Sequence, residues 1–271
     1  MKNVEEFIVT QEWLETLEDC VNNDIQTFKK HFPNGGKVSE VLKLCEDFDY
    51  GSLGVLLVKN LPFNKKPLVR DYVNGHLFYN GNVHITGNVV SQKQKRIIVK
   101  GNLKINGKLD LRNWALVDAN RVKANEIYLD NYASIYVRTK LKANIVVINF
   151  YSFIRGHSVI KSLNILYHGQ IHAANIKANI VNMTSYANIF GNIKADIFTI
   201  TSGYVHKNVK ANIINLYGGQ VIGNVDANEI INSDGVIWGN VNTIKIKIIN
   251  YDSVKGEITY KCSNERKKAS T

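Results

Sequence analysis

Ala211-Asn-Ile-Ile-Asn-Leu-Tyr-Gly-Gly-Gln-Val-Ile-Gly-Asn-Val-Asp226 is followed at once by Ala227-Asn-Glu-Ile-Ile-Asn-Ser-Asp-Gly-Val-Ile-Trp-Gly-Asn-Val-Asn242, two consecutive blocks of 16 residues. Ala178-Asn179-Ile180 and Ala195-Asp196-Ile197 open earlier copies, so the starts fall 17, 16 and 16 residues apart. A fixed period of this length marks a repeat architecture, in which each copy is one structural unit. Working back, the starts read Ala124, Ala143, Ser162, Ala178, Ala195, Ala211, Ala227 and Thr243, with Ser162 opening the poorest match. Two looser echoes, Gly81 to Val89 and Gly101 to Leu109, lie 20 residues apart and bring the expected number to roughly ten turns.

Within a block the apolar residues are spaced for short strands: Ile213, Leu216, Val221 and Val225 are separated by Gly and Asn. Runs this short cannot make helices, but they suit strands joined by tight turns. At about 3.3 Å per residue, one block has a contour of roughly 50 Å, enough for three short sides around a filled interior. One turn cannot bury its inward row; stacked turns bury it between them. The expected fold is mainly β, a right-handed, three-sided parallel β-helix with about 16 to 19 residues per turn. Asparagine recurs in two columns, Asn125, Asn144, Asn179, Asn212 and Asn228, and Asn175, Asn192, Asn208, Asn224 and Asn240. Asn tolerates a left-handed corner and can form amide ladders, so these columns read as structural.

The phrase Ala-Asn-Ile-x-x-Leu-x-x-x-x-Val-x-Gly-Asn-Val-x-Ala, from Ala211 to Ala227 and nearly again from Ala178 to Ala195, resembles the repeat of bactofilins, polymer-forming cytoskeletal proteins of bacteria. The resemblance spans about residues 80–260 and implies the right-handed, three-sided coil and a scaffolding role. Bactofilins flank their coil with short tails, whereas this chain begins with a different module.

Residues 1–61 do not repeat and read as a small α-helical cap. Thr10 is an N-cap for a helix carrying Trp13, Leu14 and Leu17; Asp24 to Phe32 is a second, stopped at Pro33-Asn34-Gly35-Gly36. Ser39 to Cys45 gives a third and Tyr50 to Lys59 a fourth, closed by Pro62. Residues 62–79 read as a connection, 80–260 as the solenoid and 261–271 as a disordered basic tail. Trp13, Phe28, Leu42 and Leu56 are the expected apolar cover for the N-terminal end of the coil. At the other end, Lys245 and Lys247 point outward on an alternating strand, a device against edge pairing. A finite particle, monomer or dimer, is therefore expected rather than a long filament.

Net charge is +11, which suits an acidic protein, an anionic membrane surface or nucleic acid. An acidic protein partner or self-association as a dimer is expected, with a membrane surface as a further candidate. Nucleic acid is disfavoured, because no reading motif is visible and the tyrosines do not recur in one register. The start has no apolar signal-like core and no stretch is long enough to span a bilayer, so a cytoplasmic protein without a transmembrane segment is expected. The three cysteines, Cys20, Cys45 and Cys262, have no metal-ligand spacing and agree with a reducing compartment.

The residue before each block is Lys123, Lys142, Lys161, Lys177, Lys194 and Lys210, a column that ends at Asp226 and Asn242. It reads either as a solvated corner or as a positive ridge that binds a partner. No catalytic, cofactor or metal site is expected. Asp110, Asp118, Asp130, Asp226 and Asp234 fall in different registers, which does not suit glycan cleavage by paired carboxylates. His157, His168, His172 and His206 read as isolated polar residues. The functional expectation is a non-enzymatic, bactofilin-like scaffold that binds another macromolecule through its faces and the lysine ridge. The alternative is an immunity or antitoxin-type protein that neutralises a toxin by direct binding. Carbohydrate binding along a face, through exposed Tyr and Trp238, is a third reading.

Overall fold

The structure, a computed structural model, describes residues 7–249 and 253–261. It is mainly β, with 54% of residues in strands and 14% in helices, and forms a parallel β-solenoid of about 11 turns. The chain divides into two compact units, Met1–Asn125 with Ala133–Thr139, and Glu126–Tyr132 with Lys140–Thr271.

In the first unit four helices, α1 (Gln11–Glu15), α2 (Asn22–His31), α3 (Val38–Asp47) and α4 (Gly51–Asn60), lie where the sequence places them. Thr10 caps α1, its Oγ1 accepting the Trp13 N–H at 3.2 Å. Phe28, Val41, Leu42, Cys45, Leu53 and Leu57 form the helical core, which continues onto Phe78 and Ile98 of the sheet. Strands normally alternate their faces, yet Ile97, Ile98 and Val99 are all buried. Ile97 and Val99 face the coil interior, and Ile98, paired with Phe78, is covered on the outside by the helices. The helices, with Phe28, Leu42 and Leu56 in their core and Trp13 packed against it, therefore cover the outside of the first turn at Phe78 and of the next at Ile98, and leave the first strand largely exposed. That strand, Asn64–Arg70, leaves Lys65, Lys66, Pro67 and Val69 exposed, and Lys and Pro blunt an open edge.

Residues 62–79, read as a connection, carry the first turn of the coil. Asn64–Arg70, Val73–Asn74 and Leu77–Tyr79 pair in parallel with Gly81–Ile85, Val89–Ser91 and Arg96–Ile105. Pro67 and the register shift between Asn64 and Leu68 disguise the repeat there.

The second unit is a regular stack. Its longer strands, Ser158–Ile165, Asn175–Met183, Asn192–Ile200, Val209–Leu216 and Val225–Asn232, each pair with the next, and shorter strands such as Gln170–His172 and Ala187–Ile189 complete each turn. One start is corrected: Ile160, two residues before Ser162, sits between Ala143 and Ala178. The inward row runs Val146, Leu163, Val181, Phe198, Ile214 and Ile230, each 0% exposed. The third-position isoleucines, Ile213 among them, face outward: Ile145 and Ile180 are exposed. The chain turns at Asn212, so Ala211 and Ile214 both point in and Ile213 does not.

The Gly-Asn corner explains its own composition. The side-chain oxygens of Asn208 and Asn224 accept the backbone N–H of Asn224 and Asn240, one turn on, at 2.8 and 2.9 Å. At these corners the bonds run from backbone to side chain, so the asparagines satisfy N–H groups that no strand partner reaches, while one turn earlier Asn192 Nδ2 donates to Asn175 Oδ1 at 3.2 Å as an amide ladder. A Cβ at Gly239 would lie 2.5 Å from the Gly223 carbonyl oxygen, so the stacked corners need glycine. Of the predicted tail, Lys261 is described and donates its N–H to the Thr243 oxygen at 2.8 Å; residues 262–271 lie outside the described residues.

Candidate functional site

Straight ladders of outward side chains follow from parallel, in-register pairing, since each side chain stands about 4.8 Å from its counterpart in the next turn. The predicted lysine column is one of these ladders, but shorter than expected. Lys177, Lys194 and Lys210 are register partners, and Lys210 is followed by Asp226, whose carboxylate its Nζ reaches at 2.7 Å. Lys142 pairs with Val159, and Val159 with Lys177, so a valine interrupts the row. Lys161 lies at the adjacent corner outside it. Lys123 pairs with Lys104 in the first unit. The ridge of the second unit is therefore Lys177, Lys194 and Lys210.

The carboxylates are engaged separately. Asp110 accepts from Arg112 at 2.8 Å, Asp118 from Arg138 at 2.7 Å and Asp130 from Asn149 at 3.2 Å. Burial works against ionisation of Asp110, but the hydrogen bonds from Arg112 and Lys108 outweigh it and hold its pKa down. His76 pairs through Nε2 with Asp49, and its Nδ1 accepts the Arg96 N–H at 3.0 Å. With both ring nitrogens occupied, the buried His76, held by the exposed Asp49, has no free nitrogen to act as a base. Among the described residues no cluster of three or more His, Cys, Asp or Glu could hold a metal ion.

The pairing corrects the expectation that the tyrosines share no register. Tyr132, Tyr151, His168 and Tyr186 form one stack, with centroid separations of 5.3, 4.7 and 5.4 Å and interplanar angles of 12° or less. Phe150 and Tyr167 stack beside them at 5.1 Å. Each ring rides on a two-residue left-handed corner: Asn131–Tyr132, Phe150–Tyr151, Tyr167–His168 and Ser185–Tyr186 have φ between 32° and 64°. That conformation costs about 1–2 kcal/mol per non-glycine residue. Each ring stack contributes about 0.5–1.5 kcal/mol, enough to offset part of that cost. Because the rings cover one another, the ladder presents mainly edges to solvent. It ends at Tyr186: three residues separate Met183 from Ala187, but two separate Ile200 from Gly203, and Ser202 replaces the ring.

A second face is built on the short strands. One outward row is Phe153, Gln170, Asn188, Tyr204, Gln220 and Val236. Two residues further along each strand runs a parallel row, in which Phe190 is stacked between His172 and His206 at 4.5 and 4.2 Å, its plane within 12° of both. The stack stops at His206, because Ile222 and Trp238 follow on the next turns. Replacement of a ring by Ile222 leaves a shallow depression of about 610 Å³ lined by Asn188, Tyr204, His206, Gln220, Ile222 and Trp238. The Trp238 indole N–H donates to Gln220 Oε1 at 2.9 Å, which fixes the indole, and His206 Nε2 lies 3.3 Å from Asn188 Oδ1.

Burial holds His172 and His206 below the ordinary histidine pKa of 6.5, and Arg155 and His206 add to the effect at His172. A histidine pKa lowered by folding means that the unfolded chain binds more protons between the two pKa values. Stability from these residues is therefore complete above about pH 6.5 and lost as pH falls through the folded pKa values. The midpoint of urea unfolding is expected to drop between pH 7.5 and 5.5, with a smaller drop in the His172→Gln, His206→Gln double variant. An unchanged drop would show that the titrating groups lie elsewhere.

The chain matches no family of known proteins, no curated protein and no solved structure. Of the site, the sequence reading named the lysines and Trp238 but missed the ring stacks. The signal was a recurring aromatic at the eighth residue after Ala124, Ala143 and Ala178, which Ile160 as a block start would have extended to His168.

Proposed function

We propose that this protein is a non-enzymatic binding scaffold, a finite bactofilin-like solenoid, right-handed and three-sided, that presents fixed ladders of side chains to another macromolecule. The observation that carries this reading is the register of the outward rows in the second unit, above all Lys177, Lys194 and Lys210 in successive turns. Parallel ammonium groups about 5 Å apart repel one another by about 0.8 kcal/mol per pair in water, and an acidic partner relieves that repulsion. The separate neutralisation of the carboxylates supports binding over catalysis. Lys245 and Lys247 are exposed on Lys245–Ile248 and favour a finite particle.

Light scattering across a hundredfold concentration range is expected to give one mass, that of a monomer or dimer; long fibres in electron micrographs would overturn the finite-scaffold reading. For the ridge, Lys177→Glu, Lys194→Glu and Lys210→Glu together are expected to weaken polyglutamate binding at least tenfold at low salt. The control, Lys29→Glu, Lys30→Glu and Lys43→Glu, changes net charge equally on the helices and should weaken binding far less. Equal losses in the two variants would reduce the ridge to a solvated corner.

A further inference from the structure

We propose that the depression between Tyr204, His206 and Trp238 is a binding site for a neutral glycan, with one pyranose ring seated over Ile222. The inference rests on the scaffold reading only in that the same coil presents the site.

The chemistry of the lining selects the ligand class. Tyr204, Ile222 and Trp238 are exposed and offer apolar faces, while Asn188, Gln220 and the Tyr204 hydroxyl offer uncharged hydrogen-bonding groups. A sugar ring has this same division, with C–H groups on its faces and hydroxyls around its rim. No lining residue carries a full charge when His206 is neutral, so a phosphate or carboxylate would find no counter-ion in the depression.

The site is also built in advance. Gln220 uses Oε1 to hold the indole, and among the described residues its amide N–H groups and the Tyr204 hydroxyl have no protein partner. Asn188 spends its oxygen on His206 and one amide hydrogen on the Tyr186 carbonyl at 2.9 Å, which leaves the other hydrogen for a ligand. Fixed rings with spare donors reduce the ordering cost of binding.

The room comes from the corners. Gly223 and Gly239 follow Ile222 and Trp238 on one side, and Gly219 and Gly235 precede Gln220 and Val236 on the other. The aromatic corner has already ended at Tyr186, and glycines occupy the corners next to Gln220 and Ile222. His206 and Trp238 stand two turns apart, about 9.6 Å along the coil, which admits a puckered saccharide ring between them and is too wide for the tight stacking of one flat base. The row continues through Phe190 and His172, so a longer glycan gains contacts along the axis.

The test is a titration of the full chain with neutral hexose and N-acetylhexosamine oligosaccharides of one to six units, read at the Trp238 indole N–H by NMR and assigned with Trp238→Phe. A shallow site is expected to bind the shorter members with Kd on the order of 1 mM, tightening with length. Followed at the backbone amides of Tyr204 and Ile222, Trp238→Ala is expected to weaken binding at least tenfold and Tyr204→Phe about threefold, the latter reporting the hydroxyl alone. Circular dichroism melting checks that both variants fold. No shift of the indole N–H with any neutral saccharide at 20-fold this concentration would overturn the proposal, as would affinity unchanged in Trp238→Ala. A shift produced only by sulfated oligosaccharides or single-stranded DNA would also overturn it. These readings concern Trp238, whereas light scattering and the lysine variants test the scaffold, so either proposal can fail without the other.

Discussion

Gly203→Ala is expected to destabilise the second unit by on the order of 2–6 kcal/mol, combining backbone strain with a steric clash. Gly203 has φ of 121°, where L side chains are rarely found, and a Cβ there would stand 2.1 Å from the Ala187 carbonyl oxygen of the previous turn. That oxygen belongs to the stacked backbone and cannot swing away. Gly75 separates the two causes, since its φ is 116° but a Cβ there would meet nothing within 4 Å. Gly75→Ala should therefore show the strain alone, about 1–3 kcal/mol. Urea denaturation of both variants provides the comparison, and equal losses would show that the turns can separate enough to accept a methyl group.

Phe198→Ala is expected to cost about 3–5 kcal/mol, the range for removing a fully buried aromatic side chain. Phe198 is 0% exposed and sits in the inward row between Val181 and Ile214. Its neighbours are held by their own strand pairing, so they cannot collapse into the space. In a stacked coil each turn touches mainly its neighbours, so the loss should be local. Hydrogen exchange is expected to show lost protection in Asn192–Ile200 and the strands beside it, with Arg96–Ile105 retaining its own. Uniform loss across the chain would mean that the coil unfolds as one cooperative body.

The two variants mark what a linear reading can reach. The repeat was legible because inward positions are apolar in most turns, with Ala211, Leu216, Val221 and Val225 recurring at nearly constant distance, although the register partner of Leu216 is the buried Asn232. The helices were legible for the same reason, through the periodicity around Leu42 and Cys45 and the cap at Thr10. The first turn was hidden by Pro67 and a register shift, and Ile213, grouped with Leu216, Val221 and Val225 by its apolar character, faces outward because the corner at Asn212 breaks simple alternation.

For the site, the obstacle was corner length. Turns differ by one or two residues at corners, and an alignment by motif cannot say which corner absorbed the difference. Placing a block at Ser162 instead of Ile160 moved Lys161 into the lysine column and His168 out of the aromatic one. Backbone pairing settles the register, because each N–H must meet a carbonyl of the adjacent turn.

The sequence by itself determined that this chain coils, with what period, and which residues fill much of its interior, since burial demands the same chemistry at the same place in each turn. Only the tertiary structure decided which outward residues stand together. Solvent places no periodic demand on them, so the lysine row, the ring stack ending at Tyr186 and the depression beside Trp238 arise from register and corner length alone.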